Sequence, residues 1–400
     1  PIPKIQEIWM KSITTFLLLA ISPLFAIDYR TFEADALQKA PALQSAKLES
    51  DAARLEGAMA LRYDNPSLEV EASRFDTDNG NDDNGWRANI SQPVRVFGLG
   101  DDLRLHADSL ETVARKRFEK SRAGFRAMLR SRFAAYVEAV HAGELMKEEI
   151  DLAKRLETIA EERFKEGAGT RAKVMQASLQ RIAAESRLVE QERRILERYY
   201  DLLSTAQTPG KPQIDAVFLY PMRPAGVAAN GMNNAELELL KARVGQLEAE
   251  AKMNDRSVKT YRLSAEYEEE PEQSIARIGL GVDLPFFNRY EEEKRLAKVR
   301  ARQKALEAES VERMQRTKLE ALERRLHALM RHHEALKRQR RKQAELLALF
   351  TEGYKTAQTS LLDLIQAQNG LIETKRKLLQ IRYLNDLYHI QIDYLQGTDQ

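Results

Sequence analysis

The chain has 400 residues, 31% of them charged, yet its 63 Lys and Arg nearly cancel its 61 Asp and Glu. A formal net charge of +2, with Lys and Arg interleaved with Glu, gives no support to nucleic-acid binding. Scarce glycine (18) and proline (12) argue against several ordinary globular domains and for long, solvated helices, and the absence of cysteine leaves none for lipid modification.

From Met10 the chain reads MKSITTFLLLAISPLFAID, one Lys followed by an apolar run from Ile13 to Ala26 that contains Pro23. The run is too short to cross a bilayer as a helix and reads as a secretory signal peptide, with a buried helix as the alternative. Cleavage after Ala26 is expected, and residues 1–9 read as upstream sequence.

A first repeat is expected over 27–207: a helix over about 31–62, strands at 65–76 and 86–97 around the polar DTDNGNDDNG, a long helix over 101–166, and a helix over 170–205. A Pro-rich connector follows at 208–232. The second repeat, 233–400, keeps the same order: a helix over about 233–258, strands at 260–269 and 274–285, a long helix over 289–352 and a helix over 358–396. Where each long run ends, one passage recurs: FKEGAGTRAKVMQA at 164–177 and YKTAQTSLLDLIQA at 354–367. An internal repeat of this size sets the organisation of the whole chain.

The long runs contain no proline, and between Phe286 and Glu352 no glycine either. At 1.5 Å per residue each would extend roughly 95 Å, whereas a globule of this chain length has a radius of gyration of about 21 Å. Their apolar residues form thin seams, such as Phe125, Met128, Phe133 and Val137, or Leu319, Leu322, Leu326 and Leu329. Spacings of three, four and seven suit a coiled coil, and a purely structural coiled coil is one reading.

The short segments argue otherwise. Leu68, Val70 and Ala72 alternate with Glu69 and Glu71; Tyr261, Leu263, Ala265 and Tyr267 alternate with Arg262, Ser264 and Glu266; Ile278, Leu280 and Val282 alternate with Arg277 and Asp283. Period two gives a strand with one apolar and one charged face, and about ten residues suffice for a tilted strand to cross an outer membrane. Four strands cannot close, and lipid offers an open edge no partner. The chain must then oligomerise, and two copies or three would close a barrel.

The whole of 27–400 resembles the TolC-like outer membrane efflux proteins, on NPSLEVEASRF, ISQPVRVFG, GVDLPFFNRYEEEKRLAKVRA and the two recurring passages. The resemblance implies a mainly α fold with membrane β: a long periplasmic α-helical barrel continuing into a twelve-stranded transmembrane β-barrel, made by a homotrimer of internally duplicated protomers with four strands each. It implies an exit duct in the outer membrane of a Gram-negative bacterium, in contact with outer membrane lipid. The implied partners are a periplasmic adaptor and an inner-membrane pump of the RND type. LPFFNR and TSLLDLIQAQ are most similar to the cobalt-zinc-cadmium (CzcC-like) heavy-metal branch, although YEEEK departs from its usual sequence. Heavy-metal cations are therefore the expected cargo, with drugs or other small organic molecules as the alternative.

No GxSxG, P-loop, HExxH or Cys cluster occurs, so no enzyme and no cofactor are expected. His332 and His333 are adjacent and would point about 100° apart on a helix, a poor chelate, so no metal site is expected. In the recurring passage Gly167 and Gly169 free the backbone to reverse, and Thr170 or Ser360 can cap the returning helix. By resemblance these turns are periplasmic tips that touch the adaptor through Gly167, Ala168, Gly169, Thr170, Ala357, Gln358, Thr359 and Ser360. Ala357 stands where the family usually has glycine, with Gly353 displaced one turn earlier. Asp363 and Gln366 match positions that ring the family's aperture, and Glu69, Glu71, Arg262, Glu266 and Asp283 are expected to line the barrel lumen. A periplasmic adaptor with one helical hairpin is the remaining alternative.

Overall fold

The computed structural model describes residues 26–76, 82–207, 210–224, 234–356 and 358–398. The expected signal peptide apart from Ala26, much of the connector, and Ala357 lie outside the described residues. Chain order gives α1 (Tyr29–Lys39), α2 (Pro41–Ala60), β1 (Ser67–Asp76), β2 (Asp82–Arg95), α3 (Leu99–Lys165) and α4 (Arg171–Ala206). After the connector come α5 (Ala235–Met253), β3 (Thr260–Glu270), β4 (Gln273–Val282), α6 (Glu291–Lys355) and α7 (Leu361–Gln396).

The two halves match in order and in size. Helices α3 and α6 have 67 and 65 residues, and α4 and α7 have 36 each. They part at the start, where the single helix expected over 31–62 is two. Ala40 leaves the helical region (φ −56°, ψ 119°) while its N–H still donates to the Ala36 carbonyl at 2.9 Å. Pro41 cannot extend a helix, since it lacks an N–H and its ring clashes with the preceding turn, but it starts one well. The other bounds shift too: β2 starts at Asp82 rather than 86, and β4 ends at Val282, so Asp283 lies just past the strand.

Packing divides the chain differently from the repeats. One compact unit gathers 26–40, 128–223 and 328–389; the other gathers 41–127, 224–327 and 390–398. Each therefore draws on both repeats.

In the second unit the four strands form one antiparallel sheet in the order β1-β2-β3-β4. Leu68 pairs with Ile90, Ile90 with Ala265, and Ala265 with Ile278, so one face carries a continuous apolar row. Val70, Ala88, Tyr267 and Ala276 form the next row. Among the described residues nothing covers this face: Ile278 is 93% exposed. Against the sheet's base, Arg256 Nε donates to Asp102 at 3.0 Å, and Val96 N–H to the Lys259 carbonyl at 3.0 Å. Gly57 lets α2 approach α3, since a Cβ there would lie 3.2 Å from the Ala107 Cβ.

In the first unit, Tyr29 stacks on buried Phe133 at 4.0 Å and Glu33 accepts from Arg130 Nε at 2.7 Å, holding α1 against α3. A ten-residue core at the far end of this unit joins Leu156 and Ala160 of α3, Ala177 of α4, Leu347 and Tyr354 of α6, and Leu361, Leu364 and Leu371 of α7. Burying side chains from all four helices fixes where the two turns between them sit.

Candidate functional site

The turn between α3 and α4 is built from backbone geometry. Gly167 has φ +77°, a left-handed conformation in which a Cβ is strained. The Ala168 N–H closes on the Arg163 carbonyl at 2.8 Å and the Gly167 N–H on that of Phe164 at 3.1 Å, which satisfies carbonyls at the end of α3. Gly169 is needed for space: a Cβ there would lie 3.0 Å from the Phe164 nitrogen. Thr170 is the N-cap of α4, its side chain accepting from the Lys173 N–H.

The turn between α6 and α7 reaches a similar result by other means. Gly353 sits inside α6, and a Cβ there would lie 2.8 Å from Thr359 Cγ2. Its absence lets the chain fold back: the Gln358 and Thr359 N–H groups both reach the Gly353 carbonyl, at 2.7 and 3.2 Å, and Thr359 Oγ1 donates to the Phe350 carbonyl at 3.0 Å. The displaced glycine thus has a packing role.

Ser360 and Asp363 form a reciprocal cap on α7. Asp363 Oδ2 accepts from Ser360 Oγ at 2.6 Å and from the Ser360 N–H at 3.3 Å, while Ser360 Oγ accepts from the Asp363 N–H at 3.2 Å. Asp363 remains exposed, as does Gln366 one turn later, so the two share a face at the start of α7.

Two residues outside the expected set tie the turns together. Buried Arg163 donates through Nη1 to the Tyr354 carbonyl at 2.5 Å and through Nη2 to that of Ala168 at 3.1 Å. Its guanidinium lies 4.6 Å over the Tyr354 ring. Burial pushes the Tyr354 hydroxyl pKa up, and the Arg163 charge opposes that shift. Arg163 carries no sequence signal, being one Arg among many.

Further along the first unit, Asp386 is buried and accepts from the Leu219 and Tyr220 N–H groups of the connector at 2.9 and 3.1 Å. Tyr220 stacks on His389 at 4.9 Å and Phe218 on His141 at 5.0 Å. Burial raises the Asp386 pKa to about 6 against the pull of those hydrogen bonds.

On the sheet, Glu69, Glu71, Arg262 and Glu266 all lie on the face opposite the apolar rows, and the register adds Arg87, Glu268 and Arg277. Glu71 pairs with Arg87, and Arg277 bridges Glu266 and Glu268. Asp283, expected with them, follows β4 and takes no part in the ladder. Among the described residues no group of three or more His, Asp or Glu is placed to hold a metal ion, and no helix is long and apolar enough to cross a membrane.

No family model matches the chain, and no curated protein matches it. Solved structures do. CusC, a protein described for the changes that accompany folding and transmembrane channel formation, superposes with a TM-score of 0.76 at 14% identity over 93% of both chains. The outer membrane protein VceC of Vibrio cholerae gives 0.74 at 15% identity over 92% of this chain and 95% of its own. The CmeC outer membrane channel of Campylobacter jejuni gives 0.73 at 15% over 92% and 85%. The chain has the fold of these channels, mainly helical with a small antiparallel sheet.

Proposed function

We propose that the protein is an outer membrane exit duct of a tripartite efflux system, a passive channel whose transport energy comes from an inner-membrane pump. One observation carries the reading: a four-stranded sheet that, among the described residues, has one uncovered apolar face, one charged face and two unpaired edges, on a chain with the fold of outer membrane channels. Uncovered apolar rows suit lipid, charged rows suit a wet lumen, and unpaired edges must meet other copies. Glu69, Glu71, Arg262 and Glu266, with Arg87, Glu268 and Arg277, then line the pore.

A second feature favours association. Met175, Leu179, Ile182, Val189 and Leu196 form an exposed apolar stripe along α4, spaced for a neighbouring helix. Three copies supply twelve strands, and a homotrimer is the state proposed. Gly167, Ala168, Gly169, Thr170, Gln358, Thr359 and Ser360 form the adaptor-facing tips. Asp363 contributes an aperture charge while also capping α7, so its carboxylate is held in place by Ser360. Heavy-metal cations are the proposed cargo, supported by LPFFNR and TSLLDLIQAQ, with small organic molecules as the alternative.

Membrane fractionation followed by native mass measurement tests the duct. A trimer extracted from the outer membrane is expected, and a soluble periplasmic monomer overturns it. Metal and drug resistance of a deletion strain decides between the cargoes.

A further inference from the structure

We infer that the second unit carries a binding site for the headgroup of an anionic phospholipid, in the cleft between α5 and the start of α6. The inference rests on the reading of the sheet as membrane-spanning. The cleft has a volume of about 510 Å³. Lys294, Lys298 and Arg302 stand at successive i, i+4 positions on one face of α6, and Lys252 enters from α5. Two acids share the cleft: Asp255 is engaged by Lys294, and Glu248 lies on the α5 side. Among the described residues no ion pair or hydrogen bond engages the side chains of Lys252, Lys298 or Arg302. Four cations thus line one opening against two carboxylates, with Lys298 in the field of Asp255 and Lys252 and Arg302 making no ion pair, an excess of positive charge that anionic headgroups complement.

The floor suits the rest of such a lipid. Ala251, Ala301 and Ala305 leave room between the helices, and Val244 adds apolar surface.

Position identifies the source of the anion. Lys252 lies shortly before β3 and Lys294 shortly after β4, and Tyr261 pairs with Val282, so the start of β3 and the end of β4 lie at the same end of the sheet. Near that end the chain displays Phe97, Phe286 and Phe287 at 97%, 71% and 104% exposure. Beside them Lys259 Nζ sits 3.6 Å over the Tyr290 ring. Aromatic rings gather where hydrocarbon gives way to headgroups, and unengaged cations just beyond such rings meet phosphate. A free phosphate would need the cations alone. The aromatic residues at the strand ends need a lipid.

The full chain, reconstituted in nanodiscs of phosphatidylcholine with a minor share of phosphatidylglycerol, provides the test. Lipid retained after detergent exchange is counted by native mass spectrometry. Wild type is expected to retain phosphatidylglycerol selectively. Lys298→Gln with Arg302→Gln should weaken that retention about thirtyfold, leave phosphatidylcholine unchanged, and keep the wild-type circular dichroism. The charge-keeping pair Lys298→Arg with Arg302→Lys should retain the lipid as wild type does. Equal retention by the Gln variant overturns the site, as does displacement of the lipid by millimolar inorganic phosphate. A chain that does not enter the nanodiscs overturns the membrane reading and the site with it.

Discussion

Gly167 and Gly353 stand in matching turns for different physical reasons, and alanine separates them. At Gly167 φ is +77° and an added Cβ would meet nothing within 4 Å. Gly167→Ala therefore pays only the left-handed backbone penalty, about 1–2 kcal/mol. At Gly353 the backbone is helical, and the added Cβ would lie 2.8 Å from Thr359 Cγ2 and 3.1 Å from its Oγ1. That cost is a clash with one side chain. Hydrogen exchange across 160–172 and 350–362 reads both. Gly167→Ala should speed exchange of the Ala168 amide by about 5–30-fold, and Gly167→Asn should recover most of the loss because Asn tolerates the left-handed region. Gly353→Ala should expose the Gln358 and Thr359 amides that bond to its carbonyl, and adding Thr359→Ser should restore their protection by removing Cγ2 while keeping the hydroxyl. Unchanged exchange in Gly167→Ala refutes the backbone account. Failure of Thr359→Ser to rescue Gly353→Ala refutes the steric one.

Arg163→Ala leaves the Tyr354 and Ala168 carbonyls without their donor and should destabilise the two turns by about 3 kcal/mol, read as faster exchange at both. Asp386 has a folded-state pKa of about 6, above the usual carboxylate value near 3.8, so the folded chain holds its proton more tightly. Its contribution to stability is largest below pH ~4 and is lost as pH rises to ~6, by up to about 3 kcal/mol. Thermal unfolding should show that slope in wild type and not in Asp386→Asn. Val70→Lys, on the apolar face, should cost about 2–4 kcal/mol in membrane assembly, while Glu71→Gln on the opposite face should assemble normally in a heat-modifiability assay; the reverse pattern contradicts the face assignment.

The long helices were readable because glycine and proline are missing from them, and the strands because Leu68, Val70, Tyr261 and Leu263 alternate with charges. Local signals also located both turns. The break before Pro41 is legible as a proline, which cannot extend a helix but starts one well. The start of β2 was not visible: Asp82 to Gly85 have no alternation, and they pair only because β1 lies alongside. Ser360-x-x-Asp363 is a capping signature in plain view, and the contacts give that Asp a capping role beside the aperture position the resemblance assigns to it. Arg163 and Asp386 were beyond reach, since each bonds to backbone far away in sequence, and no local pattern records such a partner.

The way the packing units cut across the repeats also constrains how the chain can be made. In the first unit α1 rests on α3, the Ile27 N–H reaches the Gln213 carbonyl at 2.8 Å, and the connector hangs from Asp386 near the far end of the chain. The second unit likewise needs β1 and β2 beside β3 and β4, with the Asn234 side chain bonded to the Tyr394 carbonyl. Neither unit can be completed by the half of the chain synthesised first. Folding must wait until α7 has been made, so an emerging chain stays open, with β1 and β2 not yet paired to β3 and β4, until then. A protein built this way depends on being kept soluble until it is whole.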